Sequence, residues 1–178
     1  EAALAAQHNL LSRALKVLTD PGARADISAS LNLLLRVIAE VPPVALTGPG
    51  NPWLHFYEEF LAAYDPKLRK NAGAYYTPLE VVRAQVRLVD DLLVNRLGKP
   101  LGFADPGVVT LDPAVGTGTY LLGVIEHALA RAEVEHGPGA VPGHASTLAE
   151  NLHGFEKMVG PYAVAELRVS RALRDRGA

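Results

Sequence analysis

The sequence contains no cysteine among its 178 residues, which excludes disulfide bonds, thiolate metal sites and catalysis by a cysteine nucleophile. A chain without cysteine suits a reducing compartment, and we expect a cytoplasmic protein. The formal net charge is only -2, so the chain as a whole has no electrostatic field that would attract a phosphate backbone. Contact with nucleic acid would therefore depend on a local basic patch or on a surface supplied elsewhere.

Long uninterrupted apolar runs are also absent. The first residues, EAALAAQHNLLSRALKVL, carry charged and polar side chains between the apolar ones, so we expect neither a signal peptide nor a membrane span there. The sequence begins with Glu1 instead of Met, which leads us to expect a piece of a longer protein. The hydrophobic fraction of 49% is enough to bury a core and predicts a globular chain without a membrane partner.

The distribution of apolar residues and of Pro and Gly predicts two regions. Leu, Ile and Val recur at helical spacing in residues 1–18 and 27–40, which predicts a helical hairpin. Residues 41–52 contain too much Pro and Gly for a helix or a central strand. We therefore expect a helical segment over residues 1–46 and a second domain over residues 53–178.

The second domain contains a well-marked helix that begins near Thr77. Thr77 is a favourable N-cap, Pro78 suits the first helical position, and Glu80 completes a capping box. Gly98 and Pro100 mark the end of the helix. The predicted buried stripe consists of Val82, Val86, Val89 and Leu93.

Two short strands and a helix follow. GVVTLDP, residues 107–113, is typical of a buried strand, and residues 119–137 have the pattern of a helix. NLHGFE, residues 151–156, predicts a second strand. Together they indicate an α/β fold of the doubly wound, Rossmann-like kind, of which this chain holds a part.

The remaining segments are predicted to connect and cover this unit. Residues 138–147, PGAVPGHAST, have the composition of a surface loop between the helix and the second strand. A last helix is predicted to start with Pro161 in its first position and to stop at Gly177. We expect this helix to cover a face of the sheet.

The stretch LDPAVGTGTYLL, residues 111–122, forms the corner between the first strand and its helix. Ligands bind outside the carboxyl ends of parallel strands, at helix N-termini with unpaired amides. A phosphate-binding P-loop is excluded because no Lys follows the glycines. A dinucleotide site fits poorly, because Leu121 stands where a third small residue is needed.

A nucleoside cofactor with an amino-acid tail, such as S-adenosylmethionine, fits the corner better. Asp112 can meet an ammonium group, while Gly116 and Gly118 let the backbone approach the ligand. Glu156, at the second strand end, can accept two hydrogen bonds from a ribose diol. Each residue alone also suits a structural role in a turn or a solvated strand end, but their joint placement favours the cofactor.

The same residues carry a resemblance to a known family. DPAVGTGTYLL resembles the first cofactor motif of adenine-specific DNA methyltransferases from restriction-modification systems, Asp-Pro-Ala-Cys-Gly-Thr-Gly, with Val115 in place of Cys. GAYYTP before it and GFEKMVGPYAVAELRV after it are similar to two further elements of that family. The resemblance spans about residues 53–175 and is greatest to the large single-chain enzymes and to Type I modification subunits. The first residues could resemble the helical coupler of such proteins.

The resemblance implies roles for individual residues. Asp112, Gly116 and Gly118 line the methionine end of S-adenosylmethionine, Glu156 holds its ribose, and GAYYTP closes the pocket near the methionine moiety. The cofactor-binding residues so implied are Tyr76, Thr77, Pro78, Asp112, Pro113, Ala114, Gly116, Thr117, Gly118 and Glu156.

The family's catalytic element, Asn/Asp-Pro-Pro-Tyr/Phe, is not found in this sequence. NPWL, residues 51–54, lacks the second Pro and precedes the cofactor motif, so we reject it. We therefore expect the cofactor half of a DNA adenine methyltransferase, with catalytic residues, target recognition and DNA contact supplied by other regions of the polypeptide. Two alternatives stay open: a non-catalytic coupling module with a degenerate cofactor corner, and a methyltransferase that acts on RNA or protein.

Overall fold

A computed structural model describes residues 77–178 and scattered positions between 16 and 39. The chain divides into two compact units, Glu1–Arg69 and Lys70–Ala178. Most described positions of the first unit, such as Ala25 and Arg36, are helical. The predicted hairpin lies mostly outside the described residues and the predicted boundary at residues 41–52 entirely so. No helix in the described part of the chain is long and apolar enough to cross a membrane.

The second unit contains four helices and two strands in residues 77–178. They are α1 (Leu79–Asn95), β1 (Thr110–Asp112), α2 (Thr119–His136), α3 (Val141–Asn151), β2 (Leu152–Gly154) and α4 (Val159–Arg174), with 3-10 turns at Gly102–Ala104 and Pro138–Ala140. The two strands pair in parallel, with Thr110 opposite Leu152 and Asp112 opposite Gly154. The predicted strand-helix-strand unit is confirmed, and the described fold is a helical one with a small parallel sheet.

The core of this unit lies between the helices. Its fully buried members come from three of them: Val82 from α1, Leu129 from α2, and Ala145 and Leu148 from α3. Burying an aliphatic side chain of this size contributes about 1.5–3 kcal/mol. A second, smaller cluster joins Ala165 of α4 to Leu121 and to the partly buried Leu152 of β2, so α4 covers a face of the sheet as predicted.

Helices α1 and α2 run in the same direction, side by side. Near their N-termini the Tyr120 hydroxyl donates to Gln85 Oε1 at 2.5 Å. Farther along, Asp90 of α1 meets Arg131 of α2. Gly123 of α2 faces Val82 of α1 and leaves no room for a side chain, since an added Cβ would lie 2.8 Å from Val82 Cγ1. The two helix N-termini therefore point to the same end of the unit.

Asp90 forms a buried polar cluster that the sequence analysis does not predict. Its Oδ2 accepts a hydrogen bond from Arg131 Nη1 at 2.9 Å and lies 3.1 Å from His127 Nε2. Its Oδ1 accepts the Phe103 amide at 3.0 Å. Arg131 Nη2 also donates to the Pro100 carbonyl at 2.8 Å. A buried carboxylate is tolerated when it is paired in this way, and the cluster fixes the chain after α1 onto α2.

The predicted start of α1 is wrong. Pro78 is the N-cap residue, with φ -54° and ψ 134°, and no side chain caps the helix. The Pro78 carbonyl accepts the amides of Val81 and Val82 at 3.0 and 3.1 Å. Because the helix starts one residue later than predicted, Thr77 lies outside it and Glu80 is too close to the cap for a capping box.

The predicted buried stripe of α1 is correct except at Val89, which is 43% exposed. The buried positions are Val82, Val86 and Asp90, with Leu93 partly buried. Steps of four, four and three residues follow one helix face, and they place position 90 on it instead of position 89. The sequence pattern did not predict this position because it is occupied by a charged residue, Asp90.

The predicted surface loop over residues 138–147 is also wrong, because most of it belongs to α3. Pro142 lies in the first turn, where its missing N–H has no helical partner to lose. Val141, Ala145 and Leu148 are buried at steps of four and three residues. The apolar spacing therefore decides the structure in spite of the Pro and Gly content.

The strands and α4 depart from the prediction in detail. The first strand is not buried on both faces, since Val109 and Leu111 are 67% and 53% exposed. Helix α4 begins at Val159, two residues before Pro161, and ends at Arg174, three residues before Gly177. These shifts leave the order and type of the elements unchanged.

Candidate cofactor-binding site

The carboxyl ends of β1 and β2 lie side by side at one edge of the sheet. Beyond the paired residues Asp112 and Gly154, the Phe155 amide donates to the Asp112 carbonyl and the Val115 amide donates to the Phe155 carbonyl, both at 2.9 Å. The two chain segments therefore stay in contact for several residues past the strands. This contact brings the first motif next to the GFE segment, as the parallel pairing predicts.

The segment after β1 turns sharply into α2 through two glycines with left-handed backbone angles. Gly116 has φ +55° and Gly118, the N-cap residue of α2, has φ +86°. The Gly118 amide donates to the Val115 carbonyl at 2.8 Å and closes the turn. Residues with a Cβ rarely adopt such angles, so the turn depends on glycine at both positions.

The two glycines face different surroundings. A Cβ added at Gly116 would have only the Ala114 carbonyl oxygen nearby, at 4.0 Å. A Cβ added at Gly118 would lie 3.3 Å from Ala165 of α4. Gly116 therefore leaves an open approach to its backbone, whereas Gly118 allows close packing of α2 on α4.

Glu156 links the second strand end to this turn. Its Oε2 accepts the Gly116 amide at 3.0 Å, across 40 positions of sequence, and its Oε1 accepts the Met158 amide at 2.8 Å. The side chain is half-buried. Each carboxylate oxygen has a second lone pair, so two more donors can bind to Glu156 without displacing these amides.

Asp112 lies at the end of β1 and is half-buried. Its Oδ1 accepts the Ala114 amide at 3.0 Å, which is the turn-stabilising role that the sequence left open. Within residues 77–178 no donor is bonded to its Oδ2. Pro113 and Ala114 are exposed and Thr117 is half-buried, so the structure places all of the motif residues along one turn.

Thr77 and Pro78 lie at the same end of the unit as the glycine turn, because α1 and α2 are parallel. Val82 of α1 lies against Gly123 of α2, 41 positions later, so the two helices start at about the same level. Tyr76 lies outside the described residues.

A cavity of about 220 Å³ lies beside the turn, between α2, α4 and the strands. Its lining is mainly apolar and includes Val115, Leu121, Leu152 and Val169. Neither Asp112 nor Glu156 lines it. The cavity also has polar side chains, Tyr162, Glu166 and Ser170, but the two motif carboxylates lie outside its lining, at the strand edge.

The sequence motifs and this geometry agree with the comparison with known families. A profile of the family described as N-6 DNA methylase matches residues 54–174. The chain belongs to this family. The family match confirms the resemblance to adenine-specific DNA methyltransferases.

The fold of this methylase family member is also similar to a solved structure. A chain of the DrdV–DNA complex, determined by cryo-electron microscopy, is 24% identical with a TM-score of 0.65. The match covers 99% of this chain and 17% of that one. No curated protein matches the chain.

One contact at the turn involves a residue that the sequence analysis does not single out. Arg168 of α4 donates from Nη1 to the Thr117 carbonyl at 2.7 Å, across 51 positions of sequence. The spacing of Arg168 along its helix contains no signal for this contact, which depends on how α4 packs on the turn.

Proposed function

We propose that the glycine turn with Asp112 and Glu156 binds S-adenosylmethionine, and that the chain is the cofactor-binding part of a DNA adenine methyltransferase of a restriction-modification system. The methyl acceptor is the exocyclic amino group of adenine. The observation that carries the proposal is the 3.0 Å hydrogen bond between Gly116 N and Glu156 Oε2, which holds two distant motifs in one site.

The residues present fit the chemical groups of this cofactor. The open space beside Gly116 admits a ligand close to the backbone. The remaining lone pairs of Glu156 suit the two ribose hydroxyls, and Asp112 Oδ2 suits the ammonium group. The carboxylate of the methionine moiety would be favoured near the neighbouring N-termini of α1 and α2.

The residues of this chain bind and orient the cofactor. When bound, S-adenosylmethionine supplies an electrophilic methyl group. Glu156 fixes the ribose, Asp112 fixes the amino-acid tail, and Tyr76, Thr77 and Pro78 cover the methionine side. We assign the extraction of the target adenine, its pocket and the recognition of DNA to other regions of a longer polypeptide.

Isothermal titration calorimetry of the whole chain with S-adenosylmethionine and S-adenosylhomocysteine tests the proposal. We expect the double variant Asp112→Ala, Glu156→Ala to bind both ligands at least a hundredfold more weakly, because it loses charge-assisted hydrogen bonds at both ends of the ligand. Asp175→Ala is the matched control, since Asp175 is an exposed carboxylate whose one ion pair within residues 77–178 is with Arg171 on α4.

The Glu156 variant also removes two bonds to the backbone, so its fold must be checked by circular dichroism. Glu156→Gln is a milder change, because its amide oxygen can still accept one of the two amides. Equal affinity of the wild-type protein and the folded double variant would refute the proposed site. Binding by neither protein would favour the non-catalytic alternative.

A further inference from the structure

The peptide group between Thr117 and Gly118 is held at both of its polar atoms. Its carbonyl accepts Arg168 Nη1 at 2.7 Å, and its amide donates to the Val115 carbonyl at 2.8 Å. Thr117 is flanked by Gly116 and Gly118. Both glycines can adopt backbone conformations that other residues avoid. A single orientation of the peptide therefore depends on these two bonds.

The same turn of α4 that carries Arg168 also packs directly on the glycine turn. A Cβ at Gly118 would lie 3.3 Å from Ala165 and 3.4 Å from Val169 Cγ2. Ala165 is buried and Arg168 is half-buried. Residues 165, 168 and 169 lie on one helix face. The packing of Ala165 and Val169 and the hydrogen bond from Arg168 therefore act on the glycine turn from the same side.

We propose that Arg168 is a positioning residue for cofactor binding, which acts by fixing the Thr117–Gly118 peptide. Glu156 holds the Gly116 amide and Arg168 holds the Thr117 carbonyl, so both flanks of Thr117 are set by the segment that follows β2. Arginine suits this task because its planar guanidinium offers several fixed donors and stays charged. The inference rests on the proposed function and assigns Arg168 no contact with the cofactor.

Arg168→Met tests this role, because it keeps much of the alkyl stem and removes the donor. In calorimetry with S-adenosylhomocysteine we expect affinity to fall on the order of tenfold, since loss of a charged hydrogen bond lets the turn sample other orientations. Arg168→Lys keeps the charge and a donor and should recover most of the affinity. Arg171→Met is the matched control, because Arg171 is exposed and, among the described residues, forms an ion pair only with Asp175.

A second measurement does not depend on the ligand. In the free protein, the amide resonances of Gly116 and Gly118 should shift in Arg168→Met and stay in place in Arg171→Met. An Arg168→Met protein that binds as tightly as wild type would overturn the inference, even if its unfolding temperature falls. If Arg168→Met does not fold, Arg168→Leu takes its place with the same expected weakening, because leucine also lacks a donor.

The outcomes separate this inference from the proposed function. If the wild-type chain binds no S-adenosylhomocysteine, the proposed function fails, and unshifted glycine resonances in Arg168→Met would then overturn the role of Arg168 as well. If the wild type binds and the folded variant binds equally well, only the inference about Arg168 fails.

Discussion

At the scale of single residues, the two glycines of the turn are similar in sequence and different in surroundings. An alanine at either position must adopt a left-handed backbone, which costs roughly 1–2 kcal/mol. Only at position 118 does the methyl group also press on a neighbour, Ala165 at 3.3 Å. At position 116 the methyl group would instead enter the space assigned to the cofactor.

We therefore expect Gly118→Ala to destabilise the fold by about 3 kcal/mol and Gly116→Ala by about 1 kcal/mol. For cofactor affinity the order should reverse among folded variants, with Gly116→Ala the weaker binder. Urea denaturation and calorimetry measure the two quantities. Equal losses of stability in Gly116→Ala and Gly118→Ala would contradict the prediction that only the methyl group at position 118 presses on a neighbour.

The Asp90 cluster predicts a large effect of a change far from the glycine turn. Arg131→Met leaves the buried Asp90 carboxylate without its closest cation, which costs about 3 kcal/mol. Arg171→Met, which breaks an exposed ion pair, should change the free energy of unfolding by less than about 1 kcal/mol. Urea denaturation of both variants at neutral pH decides whether the buried pairing matters.

Arg131 also affects the titration of Glu135, one turn farther along α2. The hydrogen bond from Arg131 Nε, at 2.8 Å, lowers the pKa of Glu135 below its usual value. The stabilising effect of this pair is therefore present above the ordinary pKa of glutamate and is lost as the pH falls through the lowered value. Carbon-13 NMR titration should show the Glu135 pKa rising towards its ordinary value in Arg131→Met.

The sequence predicts the glycine turn and its two acids better than the Asp90 cluster, and the reason is sequence distance. The residues around Asp112 form a local turn, and Glu156 follows from the pairing of two recognisable strands. The partners of Asp90 lie 13 to 41 positions away, on other elements. A local sequence pattern does not predict how those elements are rotated relative to α1. The contact from Arg168 to Thr117 is not predicted for the same reason, since the two residues are 51 positions apart.

At the scale of elements, α3 shows that apolar spacing can outweigh composition. The Pro and Gly content of residues 138–147 indicates a loop, yet Val141, Ala145 and Leu148 form one buried face. The order of the other elements follows from their periodicity, while their ends shift by one to a few residues. Helix ends depend on caps and tertiary packing, which a single sequence defines poorly.

Proline substitution distinguishes the helix from the predicted loop. Ser146→Pro should cost about 3 kcal/mol, because proline in a helix interior removes a backbone hydrogen bond and clashes with the preceding turn. In an exposed loop the same change would cost little. Ser146→Ala is the control, since it removes only a side-chain bond to the Pro142 carbonyl. Thermal unfolding of both variants provides the measurement.

At the scale of the whole molecule, one face of the small sheet is apolar and exposed. Leu111 of β1 and Phe155 just after β2 are 53% and 65% exposed, next to the exposed His153. Parallel sheets are usually covered on both faces, and exposed apolar patches of this kind favour association. The exposed apolar face of the sheet is consistent with the proposal that further regions of a longer polypeptide complete the domain.

We expect the double variant Leu111→Thr, Phe155→Thr to lose less than about 1 kcal/mol of stability in this chain, because both side chains are already mainly in water. The variant should also associate less at high concentration. Chemical denaturation and light scattering over a concentration series measure these effects. A loss of several kcal/mol would mean that these side chains are covered in solution.

The double engagement of Glu156 by the Gly116 and Met158 amides has a consequence for selectivity. A carboxylate anchored at both oxygens offers its free lone pairs at a set spacing and in a set plane before any ligand arrives. Such a rigid pair of acceptors binds more tightly to a molecule that presents two neighbouring hydroxyls together. It gains far less from one that presents a single hydroxyl, so ribose would be distinguished from deoxyribose at this strand end.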